Sequence, residues 1–144
     1  MEIRTHAQRP IPASAVRDLY YHVGRTKPAT EEDIRVALQA GPVVGAWDGN
    51  RLVGFARALS DGYFNAYLED VMVHEDYRLQ GVGKRIVSLL LEELDEIETV
   101  SLYCRVEVVR FYESSGCQRT SYVLMQRKES SSTSENAPSR HLGE

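Results

Sequence analysis

The spacing of apolar residues predicts a strand and two helices in the amino-terminal part of the chain. Residues 2–7 are predicted to form a first strand. Apolar residues then recur at intervals of three and four between Pro12 and Gly24, and again between Thr30 and Gly41. That interval places them on one face of a helix. Proline and threonine are common at helix starts and glycine at helix ends, so these residues also predict the helix limits.

The middle of the chain has the pattern of short strands joined by tight turns. Asp48-Gly49-Asn50 and Asp61-Gly62 are turn sequences, and they divide the β-prone runs over residues 43–47, 52–55 and 63–73. Runs of this length separated by short turns are typical of hairpins. The sequence therefore predicts a three-stranded antiparallel meander.

A long amphipathic helix and three shorter elements are predicted after the meander. Residues 82–94 carry apolar side chains on one helix face. A strand over residues 99–104, a short helix over residues 108–115 and a last strand over residues 122–125 follow. The resulting order is β-α-α-β-β-β-α-β-α-β. It predicts an α/β fold with a mixed, mostly antiparallel sheet flanked by helices on both faces.

The chain of 144 residues has room for one domain, which we expect to occupy residues 1–128. Ser, Thr, Asn and Pro dominate residues 129–144, so we expect a disordered tail there. Residues 1–10 lack the apolar stretch of a secretory signal, and the sequence contains no apolar run of membrane-spanning length. We therefore expect a cytoplasmic protein.

Charge and composition narrow the classes of partner. The formal net charge is −4, so we expect no general affinity for nucleic acid or anionic membranes, and a cationic substrate suits this sign. Cys104 and Cys117 should be reduced thiols in a cytosolic protein. The four histidines are scattered and no zinc-ligand spacing occurs, so we expect no metal site.

The segment Arg78-Leu79-Gln80-Gly81-Val82-Gly83-Lys84 joins the meander to the long helix and is suited to bind an anion. The first amides of a helix have no intrahelical partners, and the helix dipole adds positive charge there. Glycine would let a phosphate approach the backbone closely. Gly-x-Gly alone is a weak motif, and a helix start that needs glycine only for its turn is the alternative.

This segment resembles the Arg/Gln-x-x-Gly-x-Gly/Ala signature of the GNAT superfamily, the acetyl-CoA-dependent N-acetyltransferases. Phe111-Tyr112-Glu113-Ser114-Ser115-Gly116 resembles a later segment of the same family, Phe-Tyr-Glu-x-x-Gly. The chain departs from the family pattern at Arg105, where many relatives have Asn, and at Cys117, where an aromatic residue is usual. The resemblance implies transfer of an acetyl group from acetyl-CoA to a primary amine by direct attack in a ternary complex.

The resemblance also implies roles for particular residues. The pyrophosphate of CoA would be bound, beside Arg78, by the backbone amides of Leu79, Gln80, Gly81, Val82, Gly83 and Lys84. The pantetheine arm would pair with the backbone of Val71, Met72 and Val73. Tyr112 would protonate the departing thiolate, and simple packing is the alternative role of its ring.

Attack on the thioester requires a neutral amine, so a base is useful. Bases of the family often lie on the strand before the glycine loop, which makes Glu69 the first candidate and Asp70 the second. A regular strand would place these two side chains on opposite faces, with one of them in the cleft. An ion pair with a neighbouring arginine is the alternative for each.

The sequence does not identify the acceptor. Residues 101–116 resemble plant-type arylalkylamine acetyltransferases more than ribosomal-protein acetyltransferases, which favours a small amine. Five aromatic residues could line an acceptor pocket, with core packing as the alternative: Tyr20, Tyr21, Trp47, Tyr63 and Phe64. A non-catalytic CoA-binding regulatory module is the alternative function. The resemblance leaves a homodimer open, since dimers are common in the family.

Overall fold

A five-stranded sheet lies at the centre of the computed structural model, which describes residues 1–25 and 28–129. The elements are β1 (Glu2–Thr5), α1 (Ala13–His22), α2 (Glu31–Ala37), β2 (Val43–Asp48), β3 (Arg51–Ser60), β4 (Asn65–Val73), α3 (Val82–Glu93), β5 (Thr99–Ser101) and α4 (Val109–Glu113). Two 3-10 turns, Glu75–Tyr77 and Val106–Val108, precede α3 and α4. The strands lie side by side in chain order. Those from β1 to β4 are antiparallel, and β5 runs parallel to β4.

Helices cover both faces of the sheet, each with its own apolar core. On one face, Leu19 of α1 packs with Phe55 of β3, together with residues of α2. On the other, Ile86 of α3 and Tyr112 of α4 pack with Val71 of β4. We refer to these as the α1 face and the α3 face. This arrangement confirms the predicted fold class.

Local sequence explains where α2 begins, whereas the position of α1 depends on burial. The hydroxyl oxygen of Thr30 accepts from the amide of Asp33 at 3.1 Å, and the Asp33 carboxylate accepts from the Thr30 amide at 3.2 Å. This reciprocal pair caps α2. No side chain caps α1, so its position depends on the burial of Val16, Leu19 and Tyr20 against the sheet.

A bulge interrupts β4 at Asp70. Arg57 of β3 lies opposite Glu69, and Phe55 lies opposite Met72. Between these two pairs, β3 has one residue and β4 has two. Asp70 has a left-handed backbone, with φ at 55°. An extra residue of this kind changes the direction of the side chains around it.

The strands β4 and β5 separate after a short contact. They are paired only where Asn65–Tyr67 of β4 lie beside Thr99–Ser101. Beyond Tyr67, β4 has no strand on that side within the described residues. The opening between the two strands, which we call the β4/β5 cleft, lies along the end of β4 that leads into the loop before α3.

Several predicted limits differ from the structure. Residues 122–125 form no strand, so that prediction is wrong: a β-prone run becomes a strand only beside a partner, and this run pairs with none of the described strands. β5 ends at Ser101 rather than at residue 104. β4 begins at Asn65 rather than at Tyr63, because the Asp61 carboxylate accepts from the amides of residues 63, 64 and 65 and holds them in a turn.

The predicted domain limit near residue 128 stays a prediction, and the predicted tail lies outside the described residues except for Glu129. Among the helices that the structure describes, none is both long and apolar enough to cross a membrane.

Candidate active site

The loop before α3 has an unusual backbone at two positions. Leu79 and Gly81 both lie in the left-handed region, with φ at 61° and 80°. A Cβ atom at Gly81 would have open space around it, so glycine is favoured there for its conformation. Leu79 adopts the same region at an energetic cost while its side chain is 94% exposed. The loop is therefore defined by its backbone rather than by buried side chains.

The backbone amides of residues 79–84 donate to no acceptor among the described residues. The first bond of the following helix is donated by Arg85 to the carbonyl of Gly81, at 3.2 Å. Free amides, the positive end of a 12-residue helix and the exposed side chains of Lys84 and Arg85 together form a strong site for an anion. The loop prediction named these same six amides.

Arg78 connects this loop to the end of β4. Its Nε donates to the carbonyl oxygen of Val73 at 3.1 Å, and its side chain is half-buried. Gln80 supports the loop from the other side, where its amide nitrogen donates to the carbonyl of Asp76 at 3.2 Å. The loop is thus fixed relative to the strand whose edge borders the β4/β5 cleft.

The end of β4 supplies both side chains and a free backbone edge. Val71 and Val73 point to the α3 face, and Met72 points to the α1 face. Tyr112 belongs to the same apolar cluster as Val71 and is 4% exposed, with its ring edge-on to that of Phe111 at 4.9 Å. Its ring therefore packs in the core, and its role as an acid stays a prediction.

Asp70 is held by two buried partners. Its Oδ2 accepts from the Nε of Arg57 at 2.7 Å and from the hydroxyl of Tyr20 at 3.0 Å. The carboxylate is 3% exposed. Burial, followed by the negative charge of Asp70, raises the pKa of Tyr20 to about 12, so its hydroxyl remains a donor. For Asp70, the structure shows the ion pair that was the alternative to a catalytic base.

Glu69 and Asp70 both face α1, so the prediction that they point to opposite faces is wrong. Glu69 lies directly opposite Arg57, and residues opposite each other in an antiparallel pair point to the same face. Asp70 bonds that same arginine. Their flanking residues Leu68 and Val71 both point to the α3 face. The bulge at Asp70 is the physical reason for the difference.

Glu69 is buried beside two tyrosines near the point where β4 and β5 separate. It is 7% exposed. The rings of Tyr67 and Tyr103 lie 5.9 Å apart at an angle of 49°. Burial raises the pKa of Tyr67, and the Tyr103 phenol and the Glu69 carboxylate add to this effect. Neither tyrosine was predicted as a site residue, because their proximity depends on the pairing of β4 with β5.

The five aromatic residues predicted as pocket candidates are divided between core and surface. Tyr20 and Trp47 are buried, as the packing alternative expects. Tyr21 is exposed on α1, while Tyr63 and Phe64 lie exposed in the turn between β3 and β4, with ring centres 4.7 Å apart. The packing alternative is wrong for these three.

A second opening of about 550 Å³ lies between α1 and the turn joining β2 to β3. His74 lines it, 2% exposed. The Nδ1 of His74 accepts from the Asp76 amide at 3.1 Å, and its Nε2 lies 2.8 Å from the NH2 group of Arg51. Burial lowers the pKa of His74, and the charges of Arg51 and His22 lower it further. Across the residues that the structure covers, no cluster of His, Cys, Asp and Glu could hold a metal ion.

Comparison with known proteins shows which sequences and structures this chain resembles. The sequence profile of the acetyltransferase (GNAT) family matches residues 11–117. A GNAT-family acetyltransferase from Streptococcus pneumoniae superposes with a TM-score of 0.72 at 26% identity, covering 88% of this chain and 98% of that one.

Two curated relatives match at higher identity over shorter regions. An uncharacterised N-acetyltransferase, ycf52, of Pyropia yezoensis is 44% identical over 90 residues, covering 58% of this chain and 52% of the relative. Chloroplastic serotonin N-acetyltransferase 2 of Oryza sativa is 32% identical over 113 residues, covering 74% of this chain and 56% of the relative. The chain spans about half the length of these two relatives.

Proposed function

Because the chain belongs to the acetyltransferase (GNAT) family, we propose that it moves the acetyl group of acetyl-CoA to a primary amine by direct attack in a ternary complex. The observation that carries this proposal is the run of free amides at residues 79–84. They stand at the start of α3, where an anion is favoured. The pyrophosphate of CoA is negatively charged and accepts several hydrogen bonds, so it matches the positive charge and the backbone N–H donors of this site.

The residues around the cleft fit the rest of the proposed cosubstrate. The amides of residues 79–84 would bind the pyrophosphate, and Lys84 would add positive charge beside them. The edge of β4 at Val71, Met72 and Val73 would offer backbone groups to the amides of a pantetheine arm, apart from the Val73 carbonyl, which accepts from Arg78. When bound, acetyl-CoA supplies a thioester that an amine can attack. We expect no metal requirement.

The backbone near the bulge would stabilise the charge that develops during attack. Negative charge accumulates on the carbonyl oxygen of the acetyl group, and backbone donors fixed in position are effective at such a point. Val71 and Met72 directly follow the bulge at Asp70. We assign their amides this role, because they border the open edge of the strand.

Two side chains are candidates for proton transfer. Glu69 is our candidate for the base, because it is buried beside Tyr67 near the point where β4 and β5 separate, whereas Asp70 is held in an ion pair with Arg57. Tyr112 is our candidate for the acid that protonates the departing thiolate. Phenols are protonated at neutral pH and can donate. Asp70 then acts by holding the bulge rather than by moving a proton.

The acceptor that we favour is a small arylalkylamine. The paired rings of Tyr67 and Tyr103 suit an aromatic group, and the adjacent carboxylate of Glu69 suits an amine. The similarity to a rice protein named as a serotonin N-acetyltransferase supports the same class. That relative is also named as chloroplastic, whereas the sequence alone favours the cytoplasm, so the compartment stays a prediction.

A screen of primary amines tests the proposal. The chain is incubated with acetyl-CoA and each amine, and released thiol is measured with a chromogenic reagent. We expect turnover with arylalkylamines above that with aliphatic amines, and a loss of roughly 10²-fold or more in Glu69→Gln. Glu93→Gln, an exposed change on α3, is the matched control. Acetyl-CoA binding without turnover of any amine would instead favour a regulatory module.

A further inference from the structure

The opening between α1 and the turn joining β2 to β3 is lined by other residues than those proposed for acetyl transfer. Its volume of about 550 Å³ falls within the range of small-molecule pockets. It is lined by side chains of α1, by residues 48 and 50–52, and by His74. None of these described residues is proposed to bind acetyl-CoA or to move a proton. The opening is therefore available to a second ligand.

The buried ring of His74 faces a hydrogen-bond donor at each of its two nitrogens. The Asp76 amide lies 3.1 Å from Nδ1, and Nη2 of Arg51 lies 2.8 Å from Nε2. A neutral imidazole has one N–H and one acceptor nitrogen, so it can accept from only one of these donors. The Asp76 amide is fixed in the 3-10 turn, so Nδ1 is its acceptor and the ring hydrogen is on Nε2.

The N–H at Nε2 of His74 and the guanidinium of Arg51 therefore point at each other without an acceptor. Among the residues that the structure describes, none offers an oxygen to Nε2, and Arg51 forms no ion pair with a carboxylate. A buried donor that lacks an acceptor is costly. One negatively charged oxygen could accept from both groups, and charge-assisted hydrogen bonds of this kind are strong.

The charges around His74 also favour an anion. The ring of His22 lies 4.5 Å from that of His74, measured between the ring centres. Burial lowers the pKa of His74, and the charges of Arg51 and His22 lower it further. The carboxylates of Asp76 and Glu75 raise this pKa by less. Positive groups thus outweigh negative ones at this ring, and an anion would reverse the balance.

Two carboxylates line the same opening, and neither accepts from His74 or Arg51. Asp48 accepts from the hydroxyl of Tyr77, and Asp18 is exposed on α1. Their charges oppose an anion, so the affinity must come from the two facing N–H groups. Removal of the Asp18 charge should therefore strengthen the binding of an anion, whereas it would weaken the binding of a cation.

We propose that this opening binds an organic anion whose carboxylate or phosphate oxygen accepts from the Nε2–H of His74 and from the guanidinium of Arg51. The side chains of Leu19 and Leu52 also line the opening, so the anion carries an apolar body that packs against them. The inference goes beyond the proposed acetyl transfer and does not depend on it, because it rests on the opening and its facing donors alone.

Calorimetric titration of the full chain with phenylacetate tests the proposal. Phenylacetamide has nearly the same shape and no charge, so we expect it to bind about tenfold more weakly or less. Phenyl phosphate presents the same ring with the other oxyanion, and the tighter of the two anions identifies the oxyanion that the site prefers. Equal affinity for phenylacetate and phenylacetamide, or binding of neither anion, would overturn the proposal.

Substitutions make the test specific for this opening. Arg51→Gln and His74→Asn should each weaken phenylacetate binding about tenfold or more, and circular dichroism checks that both variants are folded. His74→Asn retains an acceptor for the Asp76 amide. Asp18→Asn should strengthen binding. Arg35→Gln, at an exposed arginine of α2, is the matched control and should bind as wild type does. Wild-type affinity in Arg51→Gln or His74→Asn, or an equal loss in Arg35→Gln, would overturn the assignment.

Discussion

The hydroxyl of Tyr20 donates a 3.0 Å hydrogen bond to Oδ2 of Asp70, although 50 positions separate the two residues in sequence. The same oxygen accepts from the Nε of Arg57 at 2.7 Å. Three elements, α1, β3 and β4, therefore meet at one buried carboxylate. Because Asp70 is also the residue with positive φ in β4, this network fixes the bulge beside the proposed site.

Removing the charge of Asp70 should strongly destabilise the fold. Asp70→Asn keeps a residue that tolerates positive φ but leaves Arg57 buried without its counter-charge, so we expect the free energy of unfolding to fall by about 3–5 kcal/mol. Tyr20→Phe should lower it by about 1 kcal/mol. Urea denaturation measures both values. Tyr21→Phe, at a side chain 83% exposed, is the control, and equal stability of all three variants would contradict the network.

A side chain at Gly83 should weaken acetyl-CoA binding. Gly83→Glu places bulk and negative charge at the first turn of α3, where the free amides stand, so calorimetry should show a fall in affinity of about tenfold or more. Ser88→Glu introduces the same charge at an exposed position further along the helix and should bind normally. Wild-type affinity in Gly83→Glu would remove the pyrophosphate site from this loop. Because Gly83 is buried, circular dichroism must first show that the variant is folded.

Tyr112→Phe should separate chemistry from packing. The substitution keeps the buried ring and removes the hydroxyl, so Tm and acetyl-CoA affinity should hold while kcat falls by about 10²-fold, the lower end for general acid catalysis. Stopped-flow thiol release measures the chemical step. An unchanged kcat would assign the proton to water or to another side chain, and a loss of folding would leave only the packing role.

Stability should decrease at mildly acidic pH because of His74. Burial, with Arg51 and His22, lowers the pKa of His74 in the folded chain below its ordinary value near 6.5. Below that value the unfolded chain binds more protons, so the free energy of unfolding falls as the pH drops toward the folded pKa. The contribution of His74 is fully present above pH 6.5.

A pair of asparagine variants tests this pH dependence. His74→Asn retains an acceptor for the Asp76 amide and should flatten the fall in Tm between pH 7.5 and 5.5. His22→Asn, at an exposed position, should keep most of the fall in Tm, because burial is the largest cause of the lowered pKa of His74. Identical pH profiles of wild type and His74→Asn would show that another group is responsible.

The sequence predicted those parts of the fold that depend on local patterns. Spacing and turn residues predicted α1, α2, α3 and the meander, because each depends on residues close in the chain. The loop at residues 79–84 was predicted for the same reason. Glycines and a helix start are local features, and the free amides follow from them.

Features that depend on tertiary contacts were not predictable in this way. The bulge at Asp70 needs the register of β4 against β3, and no local pattern marks it. The partners of Asp70 lie on distant elements, and so does the contact between Tyr67 and Tyr103. The predicted strand at residues 122–125 was wrong because composition describes a tendency to pair and does not supply the partner.

The bulge also determines how β4 would respond to a change in length. The side chains of residues 66, 68, 71 and 73 lie on the α3 face. Every second residue of β4 would do so in a regular strand, and one additional residue between 68 and 71 interrupts this alternation. Without Asp70, the strand would alternate regularly and every apolar residue would keep its face. Asp70 is thus an extra residue in β4, because the alternation of buried side chains between the two faces does not require it. Deletion of Asp70 would leave each apolar residue of β4 on its present face. It would also remove the carboxylate that α1 and β3 bind through Tyr20 and Arg57.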